Sequence, residues 1–373
     1  MHILITVNAA WNIVNFRRGL VGALVADGHR ITVLAPPDPE ADAVLAGMGC
    51  RMLPLAMDVK GMSPPRDLAL MLRFWRIFGR ERPDAVLGYT IKNNIFGALA
   101  ARARGIPFLP NVTGLGTAFL SGSRVQRLVE TLYRRAFAKV PVVFFQNGDD
   151  RDLFTSRGLV RPDQVRLLPG SGIDLDQFAP APMPSRPADA PRFLMIARLL
   201  RDKGVAEFAE AARQVRARHP DAGFAILGPL GAENRTAIDA ATVQGWQDDG
   251  ILTHLGATDD VRPFIREADC VVLPSYREGM PRTLLEAAAM ARPVIATDVP
   301  GCRDALAEGE TGFLCKVRDG DDLARACLRF FALPPDDRAA MGQAGRARVA
   351  RLFGQEHVIA TYRAALADLE TSA

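Results

Sequence analysis

The sequence has little of what ties a chain to disulfide, metal or transmembrane chemistry. Its five cysteines (Cys50, Cys270, Cys302, Cys315 and Cys327) are odd in number and none stands in a CxxC spacing. That argues against a disulfide frame and a zinc site, and fits free thiols in a reducing compartment. The five histidines are scattered, with no pair at ligand spacing. No stretch approaches the about 18–20 apolar residues that span a bilayer. The run after Met1, "HILITV", is too short for the apolar core of a signal peptide and has no basic flank. These absences lead us to expect a cytoplasmic protein, with any membrane contact peripheral.

What is present points to a large soluble protein. A chain of 373 residues exceeds one ordinary core, so two domains are expected. Hydrophobic residues make up 49% and charged residues 24%, which is ordinary for a globular protein. The net charge of +4 conceals an asymmetry. Residues 1–180 hold 22 Lys and Arg against 15 Asp and Glu, and residues 181–373 hold 24 against 27. The excess is concentrated in residues 51–139, at 15 against 5. A basic region of this kind suits phosphates, whether of nucleic acid, lipid headgroups or a diphosphate substrate. The plainer explanation is an arginine-rich composition.

Short apolar runs alternate with helical stretches from the start. "MHILITV", "HRITVLAP", "PDAVLGY", "IPFLPNV" and "VPVVFFQN" read as strands, and "FRRGLVGALVADG" as a helix ended by Gly28. "PAPMPSRPADAP" (180–191), with five prolines in twelve residues, can be neither helix nor central strand and reads as a connector. The alternation then restarts with "RFLMIA", "GFAILG", "ILTHLG", "DCVVLPS" and "RPVIATD". Strands alternating with helices predict parallel sheets covered on both faces. The expected architecture is α/β: two Rossmann-like doubly wound domains facing an interdomain cleft. The expected bounds are 1–178, a linker at 179–191, and 192–355. A helix at 356–373 is expected either to pack in a core or to bridge back to the first domain. Ligands of such sheets bind beyond the carboxyl ends of the strands.

Two loops carry candidate chemistry. "ARLLRDKG" (197–204) lies between a strand and a helix. Arg198 and Lys203 beside a helix N-terminus suit a diphosphate, although a solvated basic loop has the same look. In "YREGMPRTLLEAAAMA", Glu278 lies in a loop and Glu286 in the helix that follows, with Pro281 suited to the helix start. The N–H groups of Gly279 and Met280 are candidate donors to a ligand. Glu286 stands in apolar surroundings, where a carboxylate is costly unless it binds something.

At this point a resemblance becomes specific. "EGMPRTLLE" resembles the Glu-x7-Glu motif of the retaining glycosyltransferases of the GT-B fold, the large family-four group. "ARLLRDKG" resembles that family's diphosphate loop, "GSGIDLDQFAP" its interdomain segment, and "RPVIATDVPGCRDALAEGETGFL" a further run of it. "NFRRGLVGAL", "YTIKNNIFGALAAR", "NVTGLGTAF" and "VFFQN" are similar to the subgroup that builds bacterial capsule, O-antigen and protein-glycosylation oligosaccharides.

The resemblance implies roles residue by residue. Glu286 would hold the ribose hydroxyls of a UDP-sugar. Glu278, with Gly279, Met280 and Pro281, would hold the donor sugar. Arg198 and Lys203 would neutralise the departing diphosphate, so that Glu278, Arg198 and Lys203 form the catalytic set. The turn at Thr258 would meet the base, and Gly19 would let the backbone approach the phosphates, although "FRRG" departs from the family's Gly-Gly pair. No metal and no cofactor are implied, the UDP-sugar being a co-substrate. "DLD" (174–176) and "DRD" (150–152) only superficially match a metal-binding motif.

The acceptor implied is a polyprenyl-diphosphate-linked saccharide on the first domain. "TIKNN" and "TGLG" each follow a strand end, which makes Lys92, Asn94, Thr113 and Gly114 its candidate contacts. "SPPRDLALMLRFWRIFGRER" (63–82) and "SRVQRLVETLYRRAFAKV" (123–140) are basic and amphipathic, suited to an anionic membrane surface or to core packing. The leading expectation is a retaining, metal-independent hexosyltransferase, moving an N-acetylhexosamine at the cytoplasmic membrane face. A sugar-nucleotide epimerase of the same fold is the alternative enzyme. A basic nucleic-acid-binding protein is the alternative of another class, and it lacks any recognition module. A glycosidase would need only the two glutamates.

Overall fold

The computed structural model describes residues 1–59, 63–115, 124–188, 190–231, 234 and 236–371. The chain divides into two compact units. Unit 1 comprises Met1–Gly172 together with Gln355–Ala373, and unit 2 comprises Ile173–Gly354. The division thus falls before residue 178, and the proline-rich segment belongs to unit 2. Arg292, fully buried, holds that segment by donating to the carbonyls of Ala181 and Pro182, each at 2.8 Å.

Unit 1 is built on strands β1 (His2–Thr6), β2 (Arg30–Ala35), β3 (Arg51–Pro54), β4 (Ala85–Tyr89), β5 (Phe108–Val112), β6 (Val143–Phe145) and β7 (Val165–Leu167). They form one parallel sheet in the order β3-β2-β1-β4-β5-β6-β7. Period-two alternation sends Leu4 to one face and Ile3 and Ile5 to the other. The first face is covered by helices Pro64–Glu81, Ile91–Arg102 and Arg124–Phe137. The second is covered by Ala10–Phe16, Arg18–Ala26, Pro39–Gly47 and the C-terminal helix Gln355–Thr371. Val358, Tyr362, Ala365 and Leu366 of that last helix are buried in the core of unit 1.

Unit 2 repeats the plan. Its strands are β8 (Arg192–Ile196), β9 (Gly223–Leu227), β10 (Thr253–His254), β11 (Cys270–Leu273), β12 (Val294–Thr297) and β13 (Gly312–Cys315). The parallel order is β10-β9-β8-β11-β12-β13. From the central strand the chain winds first one way and then the other. The reversal lies between β8 and β11 in unit 2, and between β1 and β4 in unit 1. At such a switch point the loops leaving adjacent strands diverge and leave room for a ligand.

Three strands were not apparent as apolar runs: β3, β7 and β13. The C-terminal stretch forms two helices, Pro335–Leu352 and Gln355–Thr371, broken where the chain passes from unit 2 to unit 1. Among the described residues no helix is long and apolar enough to cross a membrane.

Candidate active site

The loops that carry the charged motifs leave the two strands at the switch point of unit 2. After β8 the chain makes a short turn at Arg201–Lys203, and helix Val205–Arg218 begins behind Gly204. Gly204 has φ of 77°, and a Cβ there would stand 2.0 Å from the carbonyl oxygen of Pro274. Only glycine lets the turn lie this close to the loop after β11. The two loops are also bonded directly. The Asp202 carbonyl accepts from the Tyr276 amide at 2.9 Å and from the Ser275 hydroxyl at 3.2 Å. The Tyr276 hydroxyl donates in turn to Glu207, in helix Val205–Arg218, at 2.6 Å. From the far side, Gly301 (φ 79°) supports the loop. A Cβ at Gly301 would meet the Gly279 carbonyl oxygen at 2.4 Å and that of Glu278 at 2.9 Å.

This bracing brings Lys203 and Glu278 together. Lys203 Nζ donates to Glu278 Oε1 at 2.5 Å, with side chains only 22% and 14% exposed. A charge-assisted pair at this depth satisfies both groups and holds both near the strand ends. Arg198, by contrast, is exposed, and among the described residues no hydrogen bond or ion pair holds its guanidinium. It leaves β8 ready to meet an anion.

Glu286 is the fifth residue of helix Arg282–Ala289, which starts one position later than expected, with Pro281 as its cap. Leu284, Leu285 and Ala287–Ala289 are all buried. The Glu286 carboxylate accepts from Arg282 Nε at 2.7 Å. Burial pushes its carboxyl above the ordinary value, and Arg282 partly offsets the shift. At β10 the Thr258 hydroxyl is committed to its own turn, accepting from the Asp260 amide at 3.1 Å and donating to the Asp260 carbonyl at 3.2 Å. Any contact with a base there falls to the backbone. Met280 packs against the core of the unit.

In unit 1 several expected contacts prove to be structural. Lys92 is engaged within the unit: it pairs with Asp67 at 2.9 Å and donates to the Asp58 carbonyl at 2.8 Å. Asn94 is 1% exposed, and its amide nitrogen donates to the Asn111 carbonyl at 2.8 Å. It braces β5 from within the core and presents nothing to an acceptor. Gly19 lies inside helix Arg18–Ala26 rather than in a loop, where a Cβ would meet the side chain of Gln355. Thr113 and Gly114 follow β5 and are partly exposed. Gly116, residues 117–119 and Ser123 lie outside the described residues.

Sequence reasoning missed the neutral network at the strand ends of unit 1. Tyr362 accepts from Asn111 Nδ2 at 2.9 Å and bonds Tyr89 at 3.0 Å, all three side chains being buried. The Arg17 guanidinium lies 4.0 Å from the centre of the Tyr89 ring. The signal was available as buried-type positions occupied by Asn and Tyr, but the partner of Tyr89 is 273 residues away.

The basic helix Pro64–Glu81 serves two faces. Leu70, Phe74 and Phe78 are core, so Phe74 is unavailable to a surface. Leu68, Leu72 and Trp75 are exposed at 54%, 42% and 40%. Arg73 is bonded to the Ala56 carbonyl at 2.6 Å, and Arg80 pairs with Glu81 at 2.9 Å. Of the two acidic motifs, Asp174 caps its own turn, accepting from Asp176 and Gln177, and Asp152 pairs with Arg151 at 2.7 Å. Among the described residues no group of three or more His, Cys, Asp or Glu is placed to hold a metal ion.

A cation-lined strand end, a paired carboxylate and a second carboxylate in the adjoining helix make a site for an anionic, hydroxyl-bearing ligand in a doubly wound domain. Residues 190–332 match the family model described as "Glycosyl transferases group 1", and residues 13–170 that described as "Glycosyl transferase 4-like domain". The chain belongs to this family of glycosyltransferases and is such an enzyme. It is 26% identical, over 95% of its length and 94% of the relative's, to the N,N'-diacetylbacillosaminyl-diphospho-undecaprenol alpha-1,3-N-acetylgalactosaminyltransferase of Campylobacter jejuni. It is 27% identical, over 72% of each chain, to an Escherichia coli UDP-Gal:alpha-D-GlcNAc-diphosphoundecaprenol alpha-1,3-galactosyltransferase. Its fold is that of sucrose-phosphate synthase from Thermosynechococcus elongatus (TM-score 0.80, 19% identity, all of both chains). It is also that of Anabaena Alr3699/HepE, solved with UDP and glucose (TM-score 0.77, 16% identity, all of both chains).

Proposed function

We propose that the protein transfers an N-acetylhexosamine from a UDP-sugar to a polyprenyl-diphosphate-linked saccharide, with retention at the anomeric carbon and without a metal. The observation that carries this reading is the Lys203–Glu278 pair at the switch point of unit 2, with Arg198 exposed on the same loop after β8. The diphosphate lies against Arg198 and Lys203, Glu286 accepts the ribose hydroxyls, and Glu278 with Gly279 and Met280 receives the donor sugar. As the C1–O bond breaks, its electron pair passes to the diphosphate, where the two cations stabilise it. The acceptor hydroxyl attacks C1 from the face that the diphosphate leaves, and its proton goes to a phosphate oxygen. The acceptor is supported by the two relatives whose names carry undecaprenyl diphosphate, and the donor nucleotide by the UDP of one relative and of Anabaena HepE.

Unit 1 receives the acceptor, with Thr113 and Gly114 as its remaining candidate contacts. The exposed Leu68, Leu72 and Trp75 beside Arg66, Arg73, Arg76 and Arg80 rest on an anionic membrane at the cytoplasmic face. Each basic residue contributes about 1 kcal/mol near such a surface, screened by salt. The test is product analysis with a panel of nucleotide sugars and lipid-linked acceptors, with EDTA present and absent. The expected result is one α-linked product, at a rate EDTA leaves unchanged. Hydrolysis alone, an inverted linkage or an absolute metal requirement overturns the corresponding part. Binding to anionic vesicles at low salt, lost at high salt and with Arg73, Arg76 and Arg80 replaced by glutamate, tests the membrane contact.

A further inference from the structure

We infer that Arg282 is a positioning residue of the donor site: its guanidinium holds the Glu286 carboxylate charged and aimed, ready to accept the hydroxyls of the nucleotide ribose. The inference rests on the proposed role of Glu286.

The pair is not one that helix stability selects. Arg282 is the first residue of its helix, where the dipole disfavours a cation. The order Arg then Glu at i, i+4 is also the weaker of the two orientations. Yet the contact is short, 2.7 Å, and both side chains are largely covered, at 16% and 12% exposed. A local preference broken at a candidate site, with the groups in close contact, points to function. The apolar neighbours of Glu286 explain the need. Left alone there, a carboxylate takes up a proton, and a protonated carboxyl loses acceptor capacity for two hydroxyls.

Four neighbouring charges are engaged elsewhere. On helix Pro335–Leu352, Arg346 donates to the Ala289 carbonyl at 2.8 Å, and Arg348 donates to the Asp304 carbonyl at 3.0 Å. On and beside the short helix Cys302–Ala305, Arg303 pairs with Asp298 at 2.8 Å. From the loop after β11, Glu278 pairs with Lys203. β11 brings only the buried thiol of Cys270, and β12 brings no charged side chain. Arg282 is the cation that acts on Glu286.

The experiment is calorimetric titration of UDP into the full chain from about pH 5.5 to 8.5. Arg282→Met should weaken UDP about tenfold or more near pH 6 and less than about threefold near pH 8.5, because the acid limb of affinity moves up by about one pH unit. Arg282→Lys should restore most of the loss, and Glu286→Gln should weaken UDP and flatten the limb. A loss that is equal at every pH, or no loss at all, overturns the inference. If Arg282→Met does not fold, Arg282→Lys must still move the limb in the same direction by a smaller amount, and an unmoved limb overturns the inference equally. If Glu286→Gln leaves UDP affinity unchanged, the ribose role itself fails. If Glu286→Gln weakens UDP while Arg282→Met does not, the positioning role alone fails.

Discussion

In both units the first strand stands inside the sheet, and the winding reverses beside it, so that two loops part at the carboxyl ends. What the sequence places on those loops is opposite in kind. Unit 2 sets Arg198, Lys203 and Glu278 there, with Glu286 in the adjoining helix: Lys203 pairs with Glu278, Arg282 pairs with Glu286, and Arg198 stays exposed. Unit 1 ends β4 with Tyr89 and sets Asn111 in β5, both hydrogen-bonded to Tyr362, with the buried Arg17 guanidinium over the Tyr89 ring. The net charges run the other way. Unit 1 holds 23 Lys and Arg against 16 Asp and Glu, a net of +7, and unit 2 holds 23 against 26, a net of −3. Unit 2 thus sets Arg198 and Lys203 at the switch point of an acidic body, whereas unit 1 carries a basic helix, Pro64–Glu81, on its sheet. The strand order supplies the place, and local side chains decide whether it carries ion pairs or a hydrogen-bonded network.

Breaking the charged side of the comparison should have the largest effect. Glu278→Gln is expected to lower kcat by about 10²–10³-fold, the usual cost of a group acting at the reacting centre. UDP affinity should hold or rise, because Lys203 loses its competing partner. Equal losses in turnover and UDP affinity would contradict separate roles. Next, Arg198→Ala and Lys203→Ala should each reduce kcat/KM by about 10–100-fold, matching a charge-assisted bond of about 1.5–3 kcal/mol. Steady-state kinetics of the double variant decides whether this loop meets the diphosphate: full activity rules it out.

The neutral side sharpens the contrast from the other direction. Tyr362→Phe removes the hydroxyl that meets Asn111 and Tyr89, and should cost about 1–3 kcal/mol in urea unfolding of unit 1. UDP affinity should not change, and a change would show that the network serves donor binding. The smallest effect concerns Glu286. Its carboxyl is held above the ordinary value by burial, so its contribution to stability is complete at low pH and is lost as pH rises through the raised value. Glu286→Gln should therefore raise the thermal midpoint at about pH 8 and leave it unchanged at about pH 4, below both values. A lower midpoint at the higher pH would mean that the pair with Arg282 more than offsets burial.

Much of this plan was legible because its signals are local. β1, β4 and β8 are unbroken apolar runs, and Gly28 and Gly204 mark turns by residue type. The cations of 197–204 and the glutamates of 278–286 lie within short segments, and it is their resemblance to family motifs, rather than their spacing, that implies a ligand. What was not legible depends on distant partners. Lys92 looks like a phosphate ligand until Asp67 is found beside it. Asn94 looks like an acceptor contact until the Asn111 carbonyl takes its amide. Of the three overlooked strands, β3 is half-exposed and ends in proline, and two residues of β7 are exposed. Neither has the two-sided apolar run that identifies a central strand. The Arg282–Glu286 pair lies in plain view at i, i+4, but only burial reveals that it is more than a solvated helix pair.

The return of Gln355–Thr371 to the core of unit 1 has a consequence for biosynthesis. Unit 2 is one contiguous segment, and all of its core is available once residue 354 has left the ribosome. Unit 1 is translated first, yet its second face stays open until Val358, Tyr362, Ala365 and Leu366 arrive. Asn111 and Tyr89 meanwhile lack the hydroxyl that closes their network. The half of the molecule that is made first is thus completed last, and a nascent chain shorn of its final helix presents an unfinished apolar face to chaperones and proteases.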